Sequence, residues 1–325
     1  MTRTRSLASG LLTLSAAAVL ALASAGGASA APAPSDGKAT PSVASVTVDA
    51  RGAADYWTPE RMQGAVPGDT LAAKAFERGN RSSVLSVEKG KPSTTKGTKG
   101  KPTIAKSENP VSHIGKVFFT IGTTNYVCSG NAVASDNGST VATAGHCVNE
   151  SGAYVTNFVF VPEYENGNAP YGKWAAKALY APTQWVSNGD MTYDTGFAVV
   201  NPDSDGALLT DVVGGSGTAF NQAYGLTYKA YGYPQASPFN GTSLWSCTGK
   251  ATKDTNNPQF GTQGIPCDMT GGSSGGPWFI QTDSTTGSDG VQNSINSYGY
   301  NGSAVMYGPY WGSVIEATYT NAAAS

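Results

Sequence analysis

The sequence predicts an all-β domain over its last two thirds. Two observations support this. From Pro110 onward, short β-branched and aromatic runs recur at Val117–Ile121, Thr140–Thr143, Asn157–Val161, Gly196–Val200 and Trp278–Ile280, separated by Gly, Asn and Asp, which is the texture of strands and turns. Between these runs no helical periodicity is sustained. The stretch 110–325 also has the length at which barrels run as one domain.

What precedes it is different in kind. Arg3 and Arg5 stand before an apolar run from Leu11 to Ala25 that ends in Ala28-Ser29-Ala30, the pattern of a signal peptide over residues 1–30. The run is too short and too rich in small residues for a membrane anchor, so a secreted, extracellular product is expected. Residues 31–109 read as a prosegment with a basic linker, because Lys89, Lys91, Lys96, Lys99, Lys101 and Lys106 alternate with Gly, Pro, Ser and Thr, which cannot bury a core. Within it, the spacing of Met62, Leu71, Ala75 and Phe76 fits a short helix and fits a weakly ordered prosegment equally. The working domain is expected over 110–325, with a mature start between Ser107 and Lys116.

Charge follows the same division. The chain carries 20 Lys and Arg against 22 Asp and Glu, a net of −2. Residues 1–109 hold 14 basic against 8 acidic side chains (+6), and residues 110–325 hold 6 against 14 (−8). A negative domain lacks the clustered cations that phosphate contacts need, so nucleic acid is excluded as a substrate. Polypeptide substrates, a monomer and no cofactor are expected.

Export makes the four cysteines legible as disulfides. Three pairings are open, and proximity in sequence favours Cys128 with Cys147 and Cys247 with Cys267. No C-x-x-C or H-x-x-x-H spacing supports zinc. Asp203-Ser204-Asp205-Gly206 resembles a piece of a calcium loop but lacks the later glutamate, so it reads as a turn.

A histidine-dependent mechanism has two candidates, His113 and His146. His113 has no catalytic partner near it in sequence, whereas His146 follows a β-rich run and adjoins Cys147, an anchored position suited to a general base. Near the other end stands Gly271-Gly272-Ser273-Ser274-Gly275-Gly276-Pro277-Trp278. Pinned between Cys267 and an apolar strand, it is no linker, and glycines beside a nucleophilic serine let substrate and main-chain N–H groups meet. Gly272, Ser274 and Gly276 also satisfy G-x-S-x-G, but that hydrolase elbow needs a histidine after the serine and none follows.

Thr143-Ala144-Gly145-His146-Cys147 together with Ser274-Gly275-Gly276-Pro277 resembles the two active-site signatures of chymotrypsin-like serine peptidases. The resemblance covers residues from about Val111 to the C-terminus. It is nearest to secreted bacterial trypsin-like and glutamyl-endopeptidase-like branches, through Gly115–Phe119 and Cys267–Gly272. It implies two antiparallel six-stranded β-barrels with the active site in the cleft between them, the first ending near Val200. It implies a triad of His146, Asp194 and Ser274, an oxyanion hole from the N–H groups of Gly272 and Ser274, and a disulfide beneath His146. Asp194 opens the strand Gly196–Val200, while its rival Asp190 reads as a turn acid.

One departure matters: animal-type members carry Asp before the nucleophile, and here that residue is Ser273. An activating ion pair with a new N-terminus is therefore not expected, and maturation is expected to act through removal of the prosegment from the cleft or through its help in folding. For the substrate pocket the resemblance points to Asp268 at its base and to Asn296, Ser297, Tyr298 and Gly299 along one wall. Asp268 favours Lys or Arg before the scissile bond, and Asn296 stands where glutamyl endopeptidases place a histidine. Aromatic, apolar or Glu specificity are the alternatives. A catalytically silent exported binding homologue would show a damaged triad, and here the triad is complete; a metal-dependent hydrolase would need more ligands than two separated histidines supply.

Overall fold

Strand β4 (Ile114–Ile121) shows why this sequence forms a closed barrel rather than an open sheet. In the computed structural model, which describes residues 43–82, 104–280 and 290–325, seven of its eight residues are buried, so both faces are covered. Val117 and Phe119 point into the barrel interior, and Phe118 points the other way, against Trp57. Alternation along a strand makes that division automatic. The signal-peptide reading and the linker lysines from Lys89 to Lys101 lie outside the described residues.

The segment ahead of the barrel is folded. It comprises β1 (Val43–Thr47), α1 (Ala53–Tyr56), α2 (Pro59–Gln63), β2 (Val66–Pro67) and α3 (Asp69–Ser82). Helix α2 starts where Thr58 Oγ1 accepts from the Arg61 N–H and Pro59 takes the first turn, where its missing N–H costs nothing. Of the two readings left open for this region, the helical one describes it. Its apolar residues Trp57, Met62, Ala65 and Leu71 are all buried, packed with side chains of the barrel strands.

After β3 (Lys106–Ser107) and β4, the first barrel continues with β5 (Thr124–Val133), β6 (Thr140–Thr143), the small hairpin of β7 (Asn149–Glu150) and β8 (Ala153–Tyr154), β9 (Thr156–Pro162), β10 (Trp174–Pro182), helix α4 (Thr183–Asn188) and β11 (Gly196–Val200). Six strands pair antiparallel in the order β9-β4-β5-β6-β11-β10, and β10 returns to β9 to close the ring. Strand β1 adds outside it, with Val43 opposite Pro182 and Thr47 opposite Ala178, and β2 lies parallel to β5.

Beyond α5 (Leu209–Val213) come β12 (Gly217–Thr218), β13 (Thr227–Gly232), β14 (Trp245–Lys250), β15 (Thr252–Lys253), β16 (Thr262–Pro266), β17 (Pro277–Ile280), β18 (Val291–Ile295), β19 (Tyr298–Gly299) and β20 (Val305–Pro309). They form a sheet β12-β18-β17-β13-β14-β3 and a second sheet β15-β16-β20-β19. Between these lies a core of Tyr228, Ala230, Ile265, Trp278 and Met306. Helix α6 (Ser313–Ala323) returns to the first barrel, adding Ile315 and Ala322 to its core. The architecture is the two-part, mostly β arrangement expected.

Strand β3 bears on the domain boundary. Ser107 pairs with Trp245 and Lys106 with Ser246, while Glu108 accepts from Ser246 Oγ at 2.6 Å and pairs with Lys229 at 3.1 Å. Lys106 and Ser107 are therefore built into the six-stranded sheet beside β14, with Ile104, Ala105 and Glu108 hydrogen-bonded on either side, although the expected division at Asn109 leaves them outside the domain.

Candidate active site

Strand β6 ends in a single 3-10 turn, Gly145–Cys147, which places His146 at the barrel rim. The turn is tied from below, because Cys147 is bonded to Cys128 of β5, and a loop of this length contributes on the order of 3 kcal/mol in the chain-entropy view. His146 is fully buried, as is Asp194, which caps the turn before β11. The Asp194 carboxylate accepts from the His146 backbone N–H at 2.9 Å and from Nδ1 at 2.8 and 3.1 Å. A carboxylate only accepts, so the proton sits on Nδ1 and Nε2 keeps its lone pair. Ser297 Oγ donates to Asp194 Oδ2 at 2.6 Å and completes the carboxylate's shell. Asp190 instead caps its own turn, accepting from the Thr192 N–H.

Ser274 lies in a loop fixed from several sides. Its carbonyl accepts from Ser129 N at 2.7 Å, and Ser129 Oγ donates to the Gly272 carbonyl at 2.9 Å. Gly272 has φ +99° and Gly275 φ +81°, regions that L side chains rarely adopt. At Gly275 a Cβ would come within 2.2 Å of Thr143 Oγ1, so only glycine lets this loop reach the first barrel. Ser273 Oγ donates to the Thr270 carbonyl at 2.8 Å, and Asn296 Nδ2 donates to the Ser273 carbonyl at 3.0 Å. His146 Nε2 is buried and, among the described residues, has no hydrogen-bond partner.

A cavity of about 760 Å³ opens beside Ser274, with Asp268, Ser297, Tyr298 and Gly299 in its wall. Its second wall comes from the segment ahead of the barrel: Asp69, Ala72, Ala73, Phe76 and Glu77 of α3.

No family model matches the chain. Among solved structures, the protease Anisep from Arthrobacter nicotinovorans is 67% identical, with 68% of this chain and 100% of that chain covered and a TM-score of 0.66. A thermostable serine protease, AL20, from an extremophilic microorganism is 49% identical over 66% of this chain and 98% of its own, with a TM-score of 0.62. The chain belongs to the chymotrypsin-like serine peptidases. A glutamyl endopeptidase of Bacillus licheniformis is 30% identical over 160 residues, 46% of this chain and 45% of that protein. The chain matches less than half the length of its curated relatives.

Against that family frame, several residues sit elsewhere than the sequence reading put them. Asn296 does not line the cavity. It is fully buried, donating to Tyr231 and Ser273 carbonyls and accepting from Trp278 Nε1, so it is a strut beneath the serine loop. Ser297 touches the cavity, but its hydroxyl is committed to Asp194. Asp268 does line the cavity, yet its carboxylate accepts from the backbone N–H groups of Ile104 and Ala105 at 3.3 and 2.7 Å. His113 pairs with Asn131 at 2.7 Å, far from Asp194 in role and partner. The Ser273 departure is met by neutral hydrogen bonds, so this loop is held without an ion pair at that position.

Sequence reasoning missed how the segment ahead of the barrel packs beside the site. The Gly68 N–H donates to the Val127 carbonyl at 2.9 Å, and a Cβ on Gly68 would lie 2.6 Å from Cys128 Sγ and 3.8 Å from the His146 ring. The Asp69 carboxylate rests on Gly271, where a Cβ would meet it at 2.2 Å. Part of Asp69 meets solvent, but crowding by protein atoms holds its carboxyl above the usual range, with His146 pulling the other way. Arg78 of α3 pairs with Glu150 at 2.7 Å, anchoring the far end. A glycine-proline pair flanking a helix start, Pro67-Gly68-Asp69, was the available signal.

The cluster Cys128, His146 and Cys147 brings potential metal ligands together, but both sulfurs are used in the disulfide, and metal binding needs thiolates.

Proposed function

We propose that this chain is a secreted serine endopeptidase, made as a latent precursor, that hydrolyses peptide bonds through an acyl-enzyme on Ser274. The observation that carries the reading is the buried chain Ser297–Asp194–His146, which leaves His146 Nε2 with a free lone pair beside the serine loop. His146 takes the Ser274 proton as Oγ attacks the substrate carbonyl, and Asp194 holds the tautomer and stabilises the imidazolium. The N–H groups of Gly272 and Ser274 hold the oxyanion, where one lost donor costs about 3 kcal/mol. His146 then passes the proton to the leaving amine, and water releases the acyl group by the reverse sequence.

Latency rests on occlusion. Residues Pro67–Phe76 cover His146, the serine loop and the cavity, so the working enzyme needs them removed. Cleavage within the basic linker separates the prosegment while keeping Ile104–Glu108 against β14 and Asp268, which puts the mature start before Ile104. For specificity, Asp268 in the cavity wall supports Lys or Arg before the scissile bond, and no Lys, Arg or His lines that wall among the described residues. The Bacillus licheniformis relative supports a Glu reading instead.

One preparation tests all of this. Matured protein is treated with a fluorophosphonate and its N-terminus sequenced, and a peptide mixture is digested near pH 8. Expected are labelling at Ser274, a start before Ile104 and cuts after Lys or Arg. Full activity in Ser274→Ala would remove the mechanism, a start after Ser107 the boundary, and dominant cuts after Glu the pocket argument.

A further inference from the structure

Directly opposite residues of an antiparallel pair present their side chains to one face of the sheet. Lys116 of β4 lies opposite Ser129 of β5, and both side chains serve the region around the serine loop. Ser129 Oγ donates to the Gly272 carbonyl and accepts from the Tyr233 N–H, each at 2.9 Å. Lys116 Nζ donates to Gln235 Oε1 and to the Gly241 carbonyl, also at 2.9 Å each. Those two acceptors stand at either end of one turn, whose base is closed by the Gly241 N–H donating to the Pro234 carbonyl at 2.8 Å. The lysine therefore ties the turn across. A neutral amine has two N–H groups and an ammonium three, so either form serves both acceptors. Lys116 is buried, and among the described residues no carboxylate is paired with it. A buried amine is costly where an apolar side chain would fit, so its two hydrogen bonds need a reason.

What the turn holds is the peptide unit between Gly271 and Gly272. The N–H groups of Gln235 and Ala236 both donate to the Gly271 carbonyl, at 2.7 and 3.0 Å, and Thr270 Oγ1 donates to the Ala236 carbonyl. The Gly271 carbonyl and the Gly272 N–H belong to one planar trans unit and point opposite ways. Two donors on the oxygen thus aim the Gly272 N–H, the proposed oxyanion donor, away from the turn. Flanked by glycines, this peptide unit has little of its own to fix its rotation, so an external hold is needed. The contact is close, since a Cβ on Gly272 would lie 3.0 Å from both the nitrogen and the Cβ of Gln235. In the structure Gln235 has a second anchor, its Nε2 donating to the Ala65 carbonyl at 2.7 Å. With residues ahead of the barrel removed, Lys116 is the remaining partner of that side chain among the described residues.

We propose that Lys116 is a positioning residue for the oxyanion hole: by tying Gln235 to Gly241 it holds the turn that orients the Gly271–Gly272 peptide, alone once Ala65 has left. This rests on the peptidase reading of the same site. It adds a residue that touches neither the substrate nor the reacting atoms.

The test compares Lys116→Met, which keeps the length of the side chain and removes its donors, with Lys116→Gln, whose amide supplies two N–H groups. In the matured enzyme Lys116→Met lowers kcat by about thirtyfold and leaves KM within about twofold, as expected when an oxyanion donor is displaced rather than deleted. A peptide aldehyde, whose addition to Ser274 Oγ puts negative charge on its oxygen, binds Lys116→Met weaker by the same factor. The matching product peptide binds as before, and Lys116→Gln recovers most of both losses. Hydrogen exchange reads the loop without turnover: in the Ser274→Ala background, Lys116→Met speeds exchange of the amides from Gly271 to Gly275 by about tenfold. Unchanged kcat and aldehyde affinity, or equal losses for aldehyde and product peptide, overturn the positioning role. Faster exchange together with a parent that neither turns over nor is labelled at Ser274 overturns the peptidase reading and leaves the hold on the loop standing.

Discussion

At the scale of single residues, the Asp194 carboxylate is the most densely contacted group of the site. It serves the His146 backbone, the His146 ring and Ser297 at once. These contacts do unequal work. Replacing Asp194 by Asn forces the wrong imidazole tautomer, which in such triads costs about 10⁴ in kcat. Ser297→Ala removes only the 2.6 Å donor, so a fall of about tenfold in kcat is expected. Ser297→Thr, which keeps the hydroxyl, should restore the rate. An unchanged kcat in Ser297→Ala, read from initial rates at saturating substrate, would assign Ser297 a packing role only.

At the scale of elements, β2 and the start of α3 lie against the proposed site, and the proposed latency makes them its cover. Pairing with β5 fixes how far the strand can slide, and the Gly68 N–H bond to Val127 sets the point at which α3 begins. The fit depends on a missing side chain, since a Cβ at Gly68 would overlap Cys128 Sγ at 2.6 Å. Gly68→Val should lift the cover without replacing any residue of the proposed triad. The full-length variant is expected to react with a fluorophosphonate at least tenfold faster than the full-length parent. Equal labelling rates would show that occlusion does not depend on this contact. Strand β1 and Trp57, whose Nε1 donates to the Asn157 carbonyl at 2.6 Å, hold the rest of the segment on the first barrel in either case.

At the scale of the whole molecule, Lys116 carries an unusual electrostatic load. It is fully buried, donating to Gln235 Oε1 and the Gly241 carbonyl at 2.9 Å each, over the rings of Tyr164 and Phe118. Burial pushes its ammonium down to about 7. Between that value and 10.5 the unfolded chain binds a proton that the folded one does not, so stability rises with pH across this window and is lowest below it. The change is up to about 4 kcal/mol. Urea unfolding of the Ser274→Ala precursor at pH 6.5 and pH 9.5 measures it, and Lys116→Met should abolish most of the rise. A rise of the same size in Lys116→Met would place its origin in other groups.

Local chemistry along the chain was enough for the strand content and for the family, through alternating apolar runs, glycines beside a serine and a histidine beside a cysteine. The compartment and the proposed roles of His146, Asp194 and Ser274 are read from the same short stretches, Asp194 because it opens a strand whereas Asp190 caps a turn. The long-range pairings decided the rest. Ser297 and Asn296 are neighbours in sequence, yet one meets Asp194 and the other the underside of the serine loop, because successive residues of an extended chain face opposite ways. Asp268 meets Ala105, 163 residues before it, and Phe76 meets Tyr300, contacts to which no local pattern points. Composition could show that residues 31–109 differ from the domain; only packing could show that part of them lines the cavity beside Ser274 and part extends a sheet, because burial is a property of what comes to lie on a surface and not of the residues that form it.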